Sequence, residues 1–276
     1  MTTLLQSVCV SVLMVCMPAA AGSQDGAALA KLMYTDIDTG FTQVSLAEVV
    51  NLISQTSGAK VVLLTESEAR PSGIDATLTV DLPAAHRPAL NLLQDALAAC
   101  GSPVPCTWQV RNGMIEVSTK DQLSTERMQV TRILPIEEFI QPVPDYNDPP
   151  NLNLGGGGGG GGGGTGGGAG GGGGAAWEDL ETRRNELIEV LIGNIEPKAW
   201  KRAGGTWAEI MPYRRSLLIR GPRWVQRQVM GFDFSVPRVS GRTPRTLRFE
   251  GDQVRVEIAL SERLRREADE RAAQPH

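Results

Sequence analysis

Residues 39–64 read TGFTQVSLAEVVNLISQTSGAKVVLL, and this pattern predicts a strand, a helix and a second strand. Ser45 and Glu48 form a capping box at the start of the helix, and Gly58 is the kind of residue that ends one. Between them, apolar residues recur at intervals of three and four, which places them on one helical face: Leu46, Val49, Val50 and Ile53.

A second unit of similar size follows at residues 76–119. ATLTVDLPAAHRPALNLLQDALAAC (76–100) predicts a strand at Thr77–Val80 and a leucine-rich helix that Pro88 opens and Gly101 stops. TWQVRNGMIEVST (107–119) then predicts two strands joined by Asn112-Gly113, a strong hairpin signal. Together the two units predict the order βαβ–βαββ.

These stretches resemble the short N-terminal domain shared by secretins and TonB-dependent receptors. The resemblance covers residues 36–120 and rests on the S-G helix end at Ser57-Gly58, the hydrophobic strand after it, the leucine-rich helix and the closing hairpin. It implies a periplasmic interaction module that serves secretion-channel assembly or receptor signalling. Residues 100–106, CGSPVPC, lengthen the usual connection before the hairpin.

After this βαβ–βαββ domain, a separate second domain with the order βαββα is predicted from residues 126–140 together with 177–234. ERMQVTRILPIEEFI (126–140) supplies its first strand, and a helix from Trp177 to Asn194 follows. Two strands, at 206–211 and 216–220, precede a helix that Pro222 opens. This order is similar to the small repeats that secretins stack into periplasmic rings. About 40 residues follow Phe234 in this sequence, so we expect no secretin channel domain within it.

A glycine tract interrupts this second, βαββα domain. Residues 155–174 hold glycine at every position except Thr165 and Ala169. Such a segment cannot bury apolar surface, so we predict a disordered insertion over residues 141–176. A phosphate-binding loop requires a lysine after its glycines, and this tract ends in Gly-Ala-Ala-Trp instead.

The two ends of the chain predict export and a tail. Residues 1–21 carry an apolar run followed by Ala19-Ala20-Ala21, as in a cleavable signal peptide, with an uncleaved signal anchor as the alternative. Residues 22–35 are predicted to be a linker. Residues 235–276 are predicted to be a flexible charged tail with one strand at 252–260. We therefore expect a periplasmic protein, associated in some settings with the outer membrane, with no integral membrane span after cleavage.

Cysteine usage fits an oxidising compartment. Cys9 and Cys16 would leave with the signal, and Cys100 and Cys106 remain as an even pair on either side of a short loop. They form a possible disulfide, and two buried free thiols are the alternative.

The sequence offers no strong catalytic, cofactor or metal motif. It has only two histidines, and its carboxylate pairs Asp36/Asp38 and Glu137/Glu138 are expected to be solvated. Residues 1–154 carry 8 basic and 16 acidic residues, whereas 177–276 carry 19 and 15. Neither half predicts nucleic-acid binding. We expect an α+β protein that is not an enzyme. We expect it to bind protein partners, either further copies of itself or an envelope secretion or transport complex. A signal-receiving adaptor is the main alternative, and an unrecognised enzyme is a weaker one.

Overall fold

The computed structural model of this protein describes residues 21–140 and 172–265, with side chains for 24–140 and 180–265. Helices and strands are mixed, so the α+β prediction is confirmed. Two hydrophobic cores divide the described residues into two modules. The predicted signal peptide and residues 141–171 of the predicted insertion lie outside the described residues.

The first module contains eight elements. In chain order they are α1 (Ala21–Tyr34), β1 (Asp36–Ser45), α2 (Leu46–Ser57), β2 (Lys60–Leu63), β3 (Thr79–Pro88), α3 (Ala89–Ala99), β4 (Cys106–Arg111) and β5 (Met114–Thr119). β1 pairs antiparallel with β3, and a three-stranded sheet has the order β2-β5-β4, with β2 parallel to β5. The helices pack between these sheets.

Local sequence signals account for the helix and turn positions in this module. Ser45 accepts a hydrogen bond from the backbone N–H of Glu48, and Gly58 ends α2 with a φ of 65°. Asn112 and Gly113 have φ values of 53° and 71°, as a tight hairpin turn requires. The predicted helix, its caps and the hairpin are therefore confirmed.

The predicted linker at 22–35 is wrong, because helix α1 occupies this region. Leu29 and Leu32 are fully buried in the first core, and Met33 is 3% exposed. The carboxylate of Asp25 also accepts a hydrogen bond from the backbone N–H of Gly113 at 2.5 Å. Helix α1 is thus part of the first module.

The second module has the predicted βαββα order. Its elements, with the short helices around them, are α4 (Lys120–Leu123), β6 (Gln129–Pro135), α5 (Glu137–Ile140), α6 (Gly172–Asn194), β7 (Glu209–Tyr213), β8 (Ser216–Pro222) and α7 (Arg223–Met230). The sheet order is β6-β8-β7, entirely antiparallel. Helix α6 begins at Gly172, so the last five residues of the predicted insertion, 172–176, are helical instead.

The segment after α7 is not a free tail. β9 (Arg245–Glu250) and β10 (Gln253–Ile258) form an antiparallel hairpin that packs on the first module. Val254 and Val256 are buried in the first core, and the side chain of Asn91 bonds both backbone groups of Val256, at 2.7 and 3.1 Å. The prediction of a flexible tail is wrong over residues 245–258, although its single predicted strand corresponds to β10.

Cutting the chain inside the glycine tract should leave its two halves associated. β6 lies before the tract and pairs with β8 after it over seven residues, from Gln129–Pro222 to Pro135–Ser216. The hairpin β9–β10 also returns to the first module. A protease site placed within residues 155–171 tests this on a native size-exclusion column, with the same digest in concentrated urea as the control. Fragments that separate without urea would contradict the pairing.

Candidate interaction surface

The sheet of the second module has one buried face and one exposed face. Successive side chains along each strand point to opposite faces. On β8, Leu217 and Ile219 are fully buried against the helices, whereas Leu218 points to the other side. The strand register places Ile133 of β6 and Met211 of β7 on either side of Leu218. We call this apolar row, together with Tyr213, the open face.

The open face is apolar where a solvated sheet surface would be polar. Ile133 is 59% exposed, Tyr213 54% and Met211 38%. Phe139, in the short helix α5 that follows β6, is 70% exposed. Adjoining apolar side chains on an exposed sheet face, such as Ile133, Leu218 and Met211, are a feature of protein-binding surfaces.

Charged groups border the open face in pairs. At one end, the Lys201 ammonium lies 2.8 Å from the Glu209 carboxylate, which lowers the pKa of that carboxyl. Arg220 pairs with Glu126 at 3.3 Å. At the other end, Arg215 pairs with Glu137 and the Arg214 guanidinium lies 5.6 Å from the Tyr213 ring centroid. An apolar centre with a polar rim is the usual anatomy of an interface.

Three tryptophans whose side chains are described in this module belong to its core. Trp200 and Trp224 are fully buried, and Trp207 packs edge-on against Trp224 with ring centroids 5.8 Å apart. Fully buried rings cannot stack on bases or sugars, so Trp200 and Trp224 are core residues and not a binding platform.

The two cysteines lie together at the end of α3 and the start of β4. Both are free thiols in this structure, with Cys100 buried and Cys106 partly exposed, and the two side chains hydrogen-bond each other. This contact lowers the pKa of Cys100 to about 6 and raises the pKa of Cys106. The predicted proximity of the pair is therefore present, without the bridge.

The two modules meet at a joint, which we define as Trp108, Arg227, Phe232 and Asp252. Arg227 donates hydrogen bonds to the carbonyl of Trp108 (2.5 Å), the carbonyl of Asp252 (3.2 Å) and the Thr107 hydroxyl (3.2 Å). Its guanidinium lies 4.2 Å from the centroid of the Trp108 ring. Burial lowers the pKa of Arg227 to about 9, so it remains a cation at neutral pH.

The described residues contain no candidate metal site and no membrane-spanning helix, and comparisons with known proteins found no match. Within residues 24–140 and 180–265, no group of His, Cys, Asp and Glu side chains is arranged to hold a metal ion. No helix in the described part of the chain is long and apolar enough to cross a bilayer. No protein-family profile, no characterised protein and no solved structure matches this chain.

Proposed function

We propose that this chain is a non-enzymatic protein–protein assembly module, exported to the periplasm, that serves an envelope secretion or transport machine. The observation that carries the proposal is the open face of the second sheet. Its apolar centre and charged rim suit a protein partner better than a small molecule. The βαββα order of this module also agrees with what the resemblance to secretin repeats implies.

The size of the open face indicates how it would be used. The three strands lie about 4.8 Å apart, and the longer two have seven residues each, so the sheet face covers at most roughly 15 by 23 Å. This is less than the roughly 800 Å² per partner of a standard interface, so the charged rim must contribute as well. A contact of this kind, repeated between copies that each add a second surface, builds rings or stacks.

The charge distribution supports contact between copies of the chain. The half before the glycine tract is acidic and the half after it is basic. The basic half contains two of the three strands of the open face, so an acidic first module from a neighbouring copy would complement it. Such a contact would weaken as salt rises.

Replacing Ile133 with aspartate should convert an oligomer of this protein to a smaller species. The new carboxylate would be desolvated at the centre of the apolar row, at a cost of several kcal/mol per contact. The measurement is absolute mass by light scattering on a size-exclusion column for residues 22–276. Val190→Asp is the matched control, because Val190 is 57% exposed but lies on α6.

The possible outcomes separate the proposed functions. A large wild-type assembly that Ile133→Asp dissociates and Val190→Asp does not would support assembly through the open face. Equal effects of both variants would remove the open face from the proposal. A monomeric wild-type chain would favour the signal-receiving adaptor, whose test is a one-to-one complex with a transmembrane partner.

A further inference from the structure

The thiols of Cys100 and Cys106 are held in contact by the fold. Cys100 ends α3 and is 3% exposed, and its Sγ lies 3.3 Å from the carbonyl oxygen of Leu97. Cys106 begins β4, and its Sγ lies 3.5 Å from the carbonyl oxygen of Val104. The Ser102 hydroxyl also donates to the carbonyl of Val104 at 2.7 Å, which tightens the turn between them.

Cys106 faces a cavity that a small reagent can enter. The cavity has a volume of about 250 Å³, is open to solvent and has mainly polar surroundings. Its lining includes Gln94, Ser102, Cys106, Thr107 and Asp252. Cys100 is buried and does not line this cavity, so a reagent in the cavity would meet the Cys106 sulfur first.

The pair carries one thiolate at neutral pH. The hydrogen bond from Cys106 lowers the pKa of Cys100 to about 6, well below the ordinary value of a free thiol. The same hydrogen bond raises the pKa of Cys106, so the two sulfurs share a single proton. Cys106 lines the cavity, so it reacts through the minor form of the pair, in which Cys100 holds the shared proton and Cys106 the negative charge.

We propose that Cys100 and Cys106 form a site of reversible oxidation, in which a small hydroperoxide entering the cavity converts the two thiols to a disulfide. The Cys106 thiolate attacks the peroxide oxygen, the O–O bond breaks, and the leaving alkoxide or hydroxide takes a proton from solvent. Cys106 is now a sulfenic acid. Cys100 loses its proton and attacks that sulfur, and the displaced hydroxide recovers the proton as water.

Oxidation at this site would stiffen the connection between the modules. The cavity also contains Thr107 and Asp252, which are two of the three groups that accept hydrogen bonds from Arg227. A disulfide closing residues 100–106 fixes the start of β4 beside these contacts. A closed loop of this length should raise the melting temperature by about 5 °C. A dithiol reductant would reverse the change.

The test treats the reduced full chain with hydrogen peroxide and then alkylates the remaining thiols. Residues 101–105 contain no Lys or Arg, so one tryptic peptide carries both cysteines and is distinct from Cys9 and Cys16. The expected product is this peptide without alkylation, lighter by about 2 Da than its reduced form. Its formation at pH 5 should be about ten-fold slower than at pH 7, as a pKa of about 6 requires.

Two single variants assign the roles. In Cys100→Ser, Cys106 should give a sulfenic acid that a dimedone probe traps, because its resolving partner is missing. In Cys106→Ala, Cys100 should resist peroxide, because it is buried and has lost the hydrogen bond that lowers its pKa. Two fully alkylated cysteines in peroxide-treated wild type, or rapid trapping of Cys100 in Cys106→Ala, would overturn the proposal. Neither readout depends on self-association.

Discussion

Replacing Arg227 with alanine should lower the free energy of unfolding by about 3 kcal/mol. The change removes three hydrogen bonds from a charged donor and leaves the carbonyls of Trp108 and Asp252 without it. A buried carbonyl that loses its partner costs about 1–3 kcal/mol. Burial of the guanidinium itself is unfavourable, which is why its pKa falls, and its removal offsets part of this loss.

Urea unfolding, followed by tryptophan fluorescence, measures this difference. Arg248→Ala is the matched control, because Arg248 is an exposed arginine on β9 with ion pairs to Glu250 (3.0 Å) and Glu257 (3.2 Å). Exposed pairs contribute little, so the control should change stability by less than about 1 kcal/mol. Equal effects of the two substitutions would show that the joint does not stabilise the protein.

Arg227→Lys should not rescue the joint. The guanidinium is planar and donates from two nitrogens to three acceptors while its face lies over Trp108. An ammonium is a single point of charge and lacks this fork. We therefore expect Arg227→Lys to be nearly as destabilising as Arg227→Ala, and to separate the unfolding of the two modules into two transitions.

The elements that the sequence predicts well are those whose causes lie within a few residues. The cap at Ser45, the glycine at 58 and the Asn112-Gly113 turn each specify backbone angles locally. Pairing of β6 with β8 across the glycine tract was also predictable, because the apolar pattern and the βαββα order both required it.

The joint was not predictable, because its contacts are long-range. Arg227 lies in a helix with several charged and polar residues, and nothing near it in the sequence marks it as buried. Its acceptors lie 119, 120 and 25 residues away. Strand β9, with the sequence RTLRFE, was also not predicted, because its charged residues are typical of an exposed tail. It is stabilised by pairing with β10 and by packing on the first module.

The sequence predicted the strands of the open face but not which of their sides is exposed. The strands themselves were predicted, but which side of each faces solvent depends on where α6 and α7 pack. Ile133 and Leu217 are both apolar residues in apolar strands, yet one is 59% exposed and the other is fully buried. An apolar residue on a solvent-facing side therefore becomes evident as a candidate site only once the register is known.

Helix α1 was missed although its signal was present in the sequence. Ala28, Leu29, Leu32 and Met33 recur at the spacing of a helical face, but the preceding apolar run favoured a signal peptide followed by a linker. The distinction has a large energetic consequence. A linker tolerates substitution, whereas a helix that completes a core does not.

Leu32→Ala should lower the free energy of unfolding by about 3 kcal/mol. Leu32 is fully buried in the first core, with 0% of its surface accessible to solvent. Truncation to alanine would leave a cavity among the helices of the first module. Leucine-to-alanine changes at such positions cost about 2–5 kcal/mol. Leu264→Ala is the matched control, since Leu264 is 55% exposed and the same change there should cost less than about 1 kcal/mol.

The same measurement decides how far α1 belongs to the first module. If Leu32→Ala and Leu264→Ala were equally mild, residues 22–35 would be the linker that the sequence first suggested. If Leu32→Ala is destabilising as expected, helix α1 belongs to the first module. Any variant of the open face or the cysteine pair should then be made in a chain that retains α1, because a truncated chain would lose stability for an unrelated reason.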